Sequence, residues 1–188
     1  MRMFDPQNLD FESAVRESFD RLTLIRTIGA ALERVSPGEV EIALPFRTDL
    51  TQHHGFMAAA VLTAVIDVAC GYAAMTLMPP GYSVLTIEYK ANFLAPAQGG
   101  RVVARGRVIR PGRTVTVCAG DVVAVDRGEE KLVATLLATM MRVSEEPVAS
   151  RSAAQAPAHQ SVTHPRRTRR WCLCRAWKAR QHDVTALV

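Results

Sequence analysis

From Met57 to Met78 the chain runs 22 residues with a single charge, Asp67, near the middle. A carboxylate in so apolar a setting is costly unless it is paired, hydrogen-bonded or put to use. The length matches a bilayer crossing, which takes about 20 residues. Against that reading, alanine supplies much of the stretch, and Thr63, Gly71, Tyr72 and Thr76 dilute it further. A central aspartate adds roughly 2.5–3.5 kcal/mol against insertion. A helix that is apolar all round is otherwise the central helix of a globular domain. The stretch therefore predicts a helix over 57–78, covered by other elements and carrying one acid that needs a reason to be there.

The flanking residues say what covers it. Ahead of the stretch stands a polar loop, Gln52-His53-His54-Gly55, and behind it the breaker Pro79-Pro80-Gly81. Strand character then fills 82–93, 100–110, 113–125 and 131–143, with turns at Pro111-Gly112 and Asp126-Arg127-Gly128. In 82–93 strict alternation puts Val84, Thr86, Glu88 and Lys90 on one face and Leu85, Ile87 and Tyr89 on the other. Upstream, Phe11, Val15, Phe19 and Leu22 recur at helical spacing, with Asp10 as the expected N-cap. Residues 27–35 and 39–46 read as a hairpin about Ser36-Pro37-Gly38, with Val40, Ile42 and Leu44 on its buried side. Helix, hairpin, long apolar helix and four strands make an α+β layout: an antiparallel sheet with one long helix laid on it.

Charge divides the chain. Residues 147–188 hold eight Lys/Arg against one acid, Asp183. Removing these from the 23 basic and 18 acidic residues of the whole chain leaves 15 and 17 in 1–146, a net charge of −2. The basic character, with a pI near 9.4, thus belongs to the C-terminal region, and no nucleic-acid partner is expected for the folded part. That region also holds Trp171 and Trp177 outside any core periodicity. The expected organisation is one domain over 1–144 and a basic, disordered tail over 145–188. Cys70 and Cys118 fall in the apolar helix and a strand as small hydrophobes. Cys172 and Cys174 have no second pair with which to form a zinc site. No secretion leader is recognisable, so the expected location is the cytoplasm, with neither metal nor cofactor required.

Several passages resemble PaaI-like acyl-CoA thioesterases, hot-dog relatives of 4-hydroxybenzoyl-CoA thioesterase. They are Gln52-His53-His54-Gly55-Phe56, then Asp67 with Ala69-Cys70-Gly71-Tyr72-Ala73-Ala74, then 85–97, then Pro111-Gly112-Arg113-Thr114. The resemblance implies a hot-dog fold, in which a sheet wraps a long helix. It also implies hydrolysis of an acyl-CoA thioester to free acid and coenzyme A, with Asp67 as base or nucleophile and the Ala59 backbone N–H as oxyanion donor. Relatives carry His-Gly-Gly or His-Ala-Gly at the helix start, nine residues ahead of the acid. Here that place is Ala58, and His54 stands four residues earlier. An acyl-CoA-binding protein without turnover is therefore the alternative.

By the same resemblance Gln52 orients water or the acyl carbonyl, and Thr86 supplies the hydroxyl that holds the attacking water. His54, Gly55 and Ala58 border the substrate. Lys90, Arg110 and Arg113 near strand ends are candidate contacts to coenzyme A phosphates, and Phe56, Met57, Tyr72 and Phe93 suggest an apolar acyl pocket. Ala59 and Asp67 lie eight residues apart, roughly 12 Å along a helix. One thioester cannot be held by both within one chain, so a homodimer, or a dimer of dimers, with composite sites is expected.

Overall fold

The computed structural model describes residues 4–145. Two short helices, α1 (Phe11–Asp20) and α2 (Thr23–Ile28), lead into the hairpin β1 (Ala31–Ser36) and β2 (Glu39–Pro45). A 3-10 turn at Thr48–Leu50 precedes the long helix α3 (Ala59–Met75). Strands β3 (Tyr82–Phe93), β4 (Arg101–Arg110), β5 (Val115–Asp126) and β6 (Glu129–Ser144) complete the domain. All six strands are antiparallel neighbours in the order β1-β2-β4-β5-β6-β3. Helix α3 lies against one face of this sheet, which is the hot-dog arrangement. Seventeen residues long, it is shorter than the apolar run, and no helix among the described residues is long and apolar enough to cross a membrane.

Side-chain size decides how closely α3 can lie on the sheet. Gly106 of β4 and Gly120 of β5 are cross-strand partners directly beneath it. A β-carbon at Gly106 would stand 2.3 Å from the Ala69 carbonyl carbon, and one at Gly120 would stand 2.7 Å from Ile66. The helix answers with Ala69, Cys70 and Ala73, all fully buried. Around this close contact Leu62, Val65 and Ile66 meet Val40, Ile42, Leu44, Val122 and Leu136 in one core. Each such aliphatic side chain contributes about 1.5–3 kcal/mol relative to exposure. At the far end Thr76 ties helix to hairpin, its hydroxyl donating to the Ala73 carbonyl and accepting the Gly38 N–H, both at 2.7 Å.

Three expectations need correction. The hairpin does not begin at residue 27: Thr23–Ile28 is helical and stops at Gly29, whose φ of +80° is the left-handed cap that glycine accommodates. Six residues are too few to show a helical period. Asp10 stands at the N-cap of α1, yet its side chain makes no capping bond; Asn8 Oδ1 accepts the Asp10 N–H instead. In β3 the strict alternation fails, because the register against β6 slips between Thr86 and Glu88. Ile87 is the extra residue of a bulge. Before it Val84 and Thr86 face the helix; after it Tyr89, Ala91 and Phe93 do, opposite the buried Ala138, Leu136 and Ala134. Glu88 and Lys90 are turned to the outer face. The expected tail, 145–188, lies outside the described residues apart from Glu145.

Candidate active site

Asp67 sits midway along α3, on the face that the sheet does not cover. At helical spacing Ala60, Thr63, Ala64, Asp67 and Val68 all retain exposure, whereas Val65, Ile66, Ala69 and Cys70 are buried. Beside Asp67 runs β3, and the Thr86 hydroxyl donates to Asp67 Oδ1 at 2.8 Å. That bond occupies one carboxylate oxygen on one side and holds the group in a single orientation. Burial pushes the Asp67 carboxyl above its ordinary value, and the Thr86 hydrogen bond pulls it part of the way back. A carboxylate made more basic by its surroundings, and held still, is suited to accept a proton from water.

The acid lies at the mouth of a cleft of about 350 Å³ between α3, β3 and the end of α1. Val68, Gly71 and Met75 form its floor, with Leu22 and Val84 as apolar walls. Ser18 and Arg21 also line it, and the Tyr72 hydroxyl donates to Ser18 Oγ at 3.2 Å. The sequence pattern marks neither Ser18 nor Arg21. They reach the cleft because Val15 and Phe19 of α1 are buried, which turns the rest of that helix end over α3. Phe19 and Tyr72 pack ring on ring, 5.8 Å between centroids.

A second cleft, of about 380 Å³, opens at the other end of α3. Here the loop 51–57 closes on itself through a Thr51–Met57 bridge, with Gly55 at φ +81° in the turn. The Met57 N–H donates to the Ala97 carbonyl and the Ala58 N–H to that of Leu50, at 3.1 and 3.0 Å, so the helix start is fixed from two sides. The next two N–H groups, of Ala59 and Ala60, have no protein acceptor among the described residues, and Ala58 offers no capping side chain. Free N–H groups at the positive end of a helix are donors for a developing negative charge. Gln52 lines the same cleft. Its Oε1 accepts the His54 N–H, which identifies the oxygen and leaves the amide nitrogen to donate outward. Phe56, Phe93 and Leu94 supply apolar walls.

Of the expected site residues, Asp67 and Thr86 are brought together, as are Gln52, Ala58 and Ala59. Asp67 and Ala59 are not, for they stand on one rigid helix eight positions apart. His54 and Gly55 lie exposed on the loop, and the His54 ring rests against His53 with centroids 3.9 Å apart. Lys90, on the outer face, and Arg110 and Arg113, at the β4–β5 turn, line neither cleft. Cys70 and Cys118 are buried and unpaired; burial pushes both thiols up, Cys118 to about 12, so neither is a nucleophile at neutral pH.

Known proteins resemble the chain in both sequence and shape. The model of the thioesterase superfamily matches residues 54–131. A crystal structure of a thioesterase family protein from Silicibacter pomeroyi is 44% identical, with a TM-score of 0.70, over 71% of this chain and 98% of that one. The PaaI protein of E. coli, from the phenylacetic acid degradation operon, has the same fold at 16% identity, with a TM-score of 0.66 over 73% and 96% of the two chains. A protein of Halobacterium salinarum that carries the provisional name esterase is 29% identical over 119 residues, 61% of this chain and 78% of that protein.

Proposed function

As this chain belongs to the thioesterase superfamily, we propose that it hydrolyses an acyl-CoA thioester to the free acid and coenzyme A. Two copies form each site: Asp67 and Thr86 come from one, and the Ala59 N–H and Gln52 from the other. The observation that carries this reading is the Thr86–Asp67 hydrogen bond on the uncovered face of α3, together with the partial burial that raises the Asp67 carboxyl. In the proposed reaction Asp67 takes a proton from water as the water oxygen attacks the thioester carbon. The carbonyl oxygen becomes an oxyanion that accepts the Ala59 N–H. Collapse breaks the carbon–sulfur bond, and the departing thiolate takes the proton back from Asp67. Direct attack by the carboxylate on the same carbon would use the same groups, water then cleaving the resulting anhydride.

The surface supports pairing of two copies. β3 is an edge strand whose outer side has no partner among the described residues, and it exposes Leu85, Ile87, Tyr89 and Phe93. A long edge strand with so much apolar surface calls for a cover. A two-fold axis beside β3 and α3 would pair edge with edge. It would also run two α3 helices past each other, bringing the Ala59 end of one toward Asp67 of the other. Such a dimer in the cytoplasm, alone or doubled into a tetramer, is the assembly proposed.

One observation favours the second reading, acyl-CoA binding without turnover: Ala58 occupies the place of the family histidine. Thiol release from acetyl-, hexanoyl-, palmitoyl- and benzoyl-CoA by the purified protein separates the two. Turnover that vanishes in Asp67→Asn supports hydrolysis; tight binding with no thiol release from any of the four refutes it.

A further inference from the structure

Gly71 stands inside a helix, where glycine is destabilising relative to alanine. The close approach of α3 to the sheet is served by glycines on the sheet, not by this one. A β-carbon at Gly71 would have Val84 Cγ2 as its nearest neighbour, at 3.4 Å, which is ordinary contact. Packing therefore has room for alanine here, and what the missing methyl leaves open is the cleft. Gly71 lies one turn beyond Asp67 and one turn before Met75, so it stands midway along the cleft, which follows roughly 12 Å of helix from the acid.

We propose that this cleft receives the acyl group, laid across Gly71 with its carbonyl at Asp67 and its distal end at the Ser18–Tyr72 hydroxyl pair. The inference rests on the thioesterase reading and adds the substrate class: an uncharged acyl group of medium length or one ring. About 350 Å³ is at the small end of ligand sites, a size that favours a medium-length or single-ring acyl group. The distal end does not select for charge. Arg21 is the cation there, with Glu145 at 3.9 Å and Asp20 next to it in the chain. A carboxylate at that end of the acyl group would meet two acids for one base.

Gly71→Ala and Leu22→Ala, in the full chain, change the cleft in opposite senses. Gly71→Ala should melt at or above the parent's temperature, yet lower the ratio of kcat/KM for hexanoyl-CoA over acetyl-CoA by roughly tenfold or more, the scale of one methylene in a tight pocket. Leu22→Ala should raise that ratio, and the parent should prefer hexanoyl-CoA to adipoyl-CoA. Unchanged ratios in both variants, or adipoyl-CoA turned over as fast as hexanoyl-CoA, would overturn the assignment. Binding of the unreactive thioether hexyl-CoA tests the cleft even if no thioester is cleaved. Tighter binding than coenzyme A alone, weakened by Gly71→Ala, supports it. Equal binding of the two by the parent refutes the cleft, whereas absent thiol release refutes only the hydrolase reading.

Discussion

The two clefts on α3 are built from opposite materials. At Asp67 the chemistry is in side chains: a half-buried carboxylate on the helix and an exposed hydroxyl on the strand, 2.8 Å apart. At Ala59 it is in the backbone: two N–H groups at a helix start that carries no polar side chain of its own. The first region pays for its place in stability, since a carboxylate there is partly stripped of water. The second costs little, because every helix begins with unpaired donors. Each is half of a hydrolytic site, and the helix that carries both keeps them apart. That separation makes a second copy necessary to the account, and the two halves should respond differently to substitution.

The acid half should show the largest effect. Asp67→Asn is expected to lower kcat on the order of a hundredfold or more, the usual scale for a general base. It should also raise the melting temperature at neutral pH. The sign follows from the raised carboxyl: the folded state holds this proton more tightly than the unfolded chain does. Stability contributed by the protonated group is present below the unfolded value and is lost as pH rises through the folded one. The amide removes that loss. Thermal melts across pH, beside activity, check both halves of the statement; a variant that is inactive and also less stable at neutral pH would assign Asp67 to structure.

Restoring the family signature at the donor half should work in the other direction. Ala58→His with Ala59→Gly is expected to raise thiol release severalfold, read as kcat/KM. No gain from a folded variant would mean that His54 already fills the role or that hydrolysis is not the function. A smaller effect is expected at Thr86. Thr86→Val removes the bond that offsets burial, so the Asp67 carboxyl should move further up and the acid limb of the kcat/KM profile should move to higher pH. An acid limb that stays in place would separate Thr86 from the acid's titration. The smallest effect belongs to the C-terminal region. The Glu145 N–H donates to the Gly81 carbonyl, so truncation after Glu145 should leave the melting temperature within a few degrees and the size-exclusion mass that of the same oligomer. A larger drop would show that the basic region stabilises the domain.

The contrast between the halves also explains what could be read from the sequence. Asp67 stands out because it is the only charge in 22 residues, and the long helix around it follows from the same stretch. The hairpin turn at Pro37-Gly38 and the four later strands carry local signals and fall close to their expected ranges. Sheet order is not local: β3 pairs with β6, some fifty residues away, and no short pattern encodes that. The bulge at Ile87 is equally silent, although it decides that Tyr89 and Phe93 face the helix while Lys90 does not. Ala59 has no polar side chain to mark it, and only the family resemblance drew attention to its N–H. Ser18, Arg21 and the open space above Gly71 depend on how α1 folds over α3, which the period of α1 alone does not specify.

The composite site can be tested by mixing two inactive proteins. Ala59→Pro removes the proposed donor at the first helical position, where proline is well tolerated and where Ala58 already has the extended conformation that proline requires. Asp67→Asn removes the acid. In a dimer containing one of each, one site has lost both groups and the other has kept both. Co-refolding the two variants should therefore recover about a quarter of the parental activity, with half the dimers mixed and one of two sites intact in each. A mixture that forms mixed dimers but stays as inactive as its components would contradict a site shared between two copies.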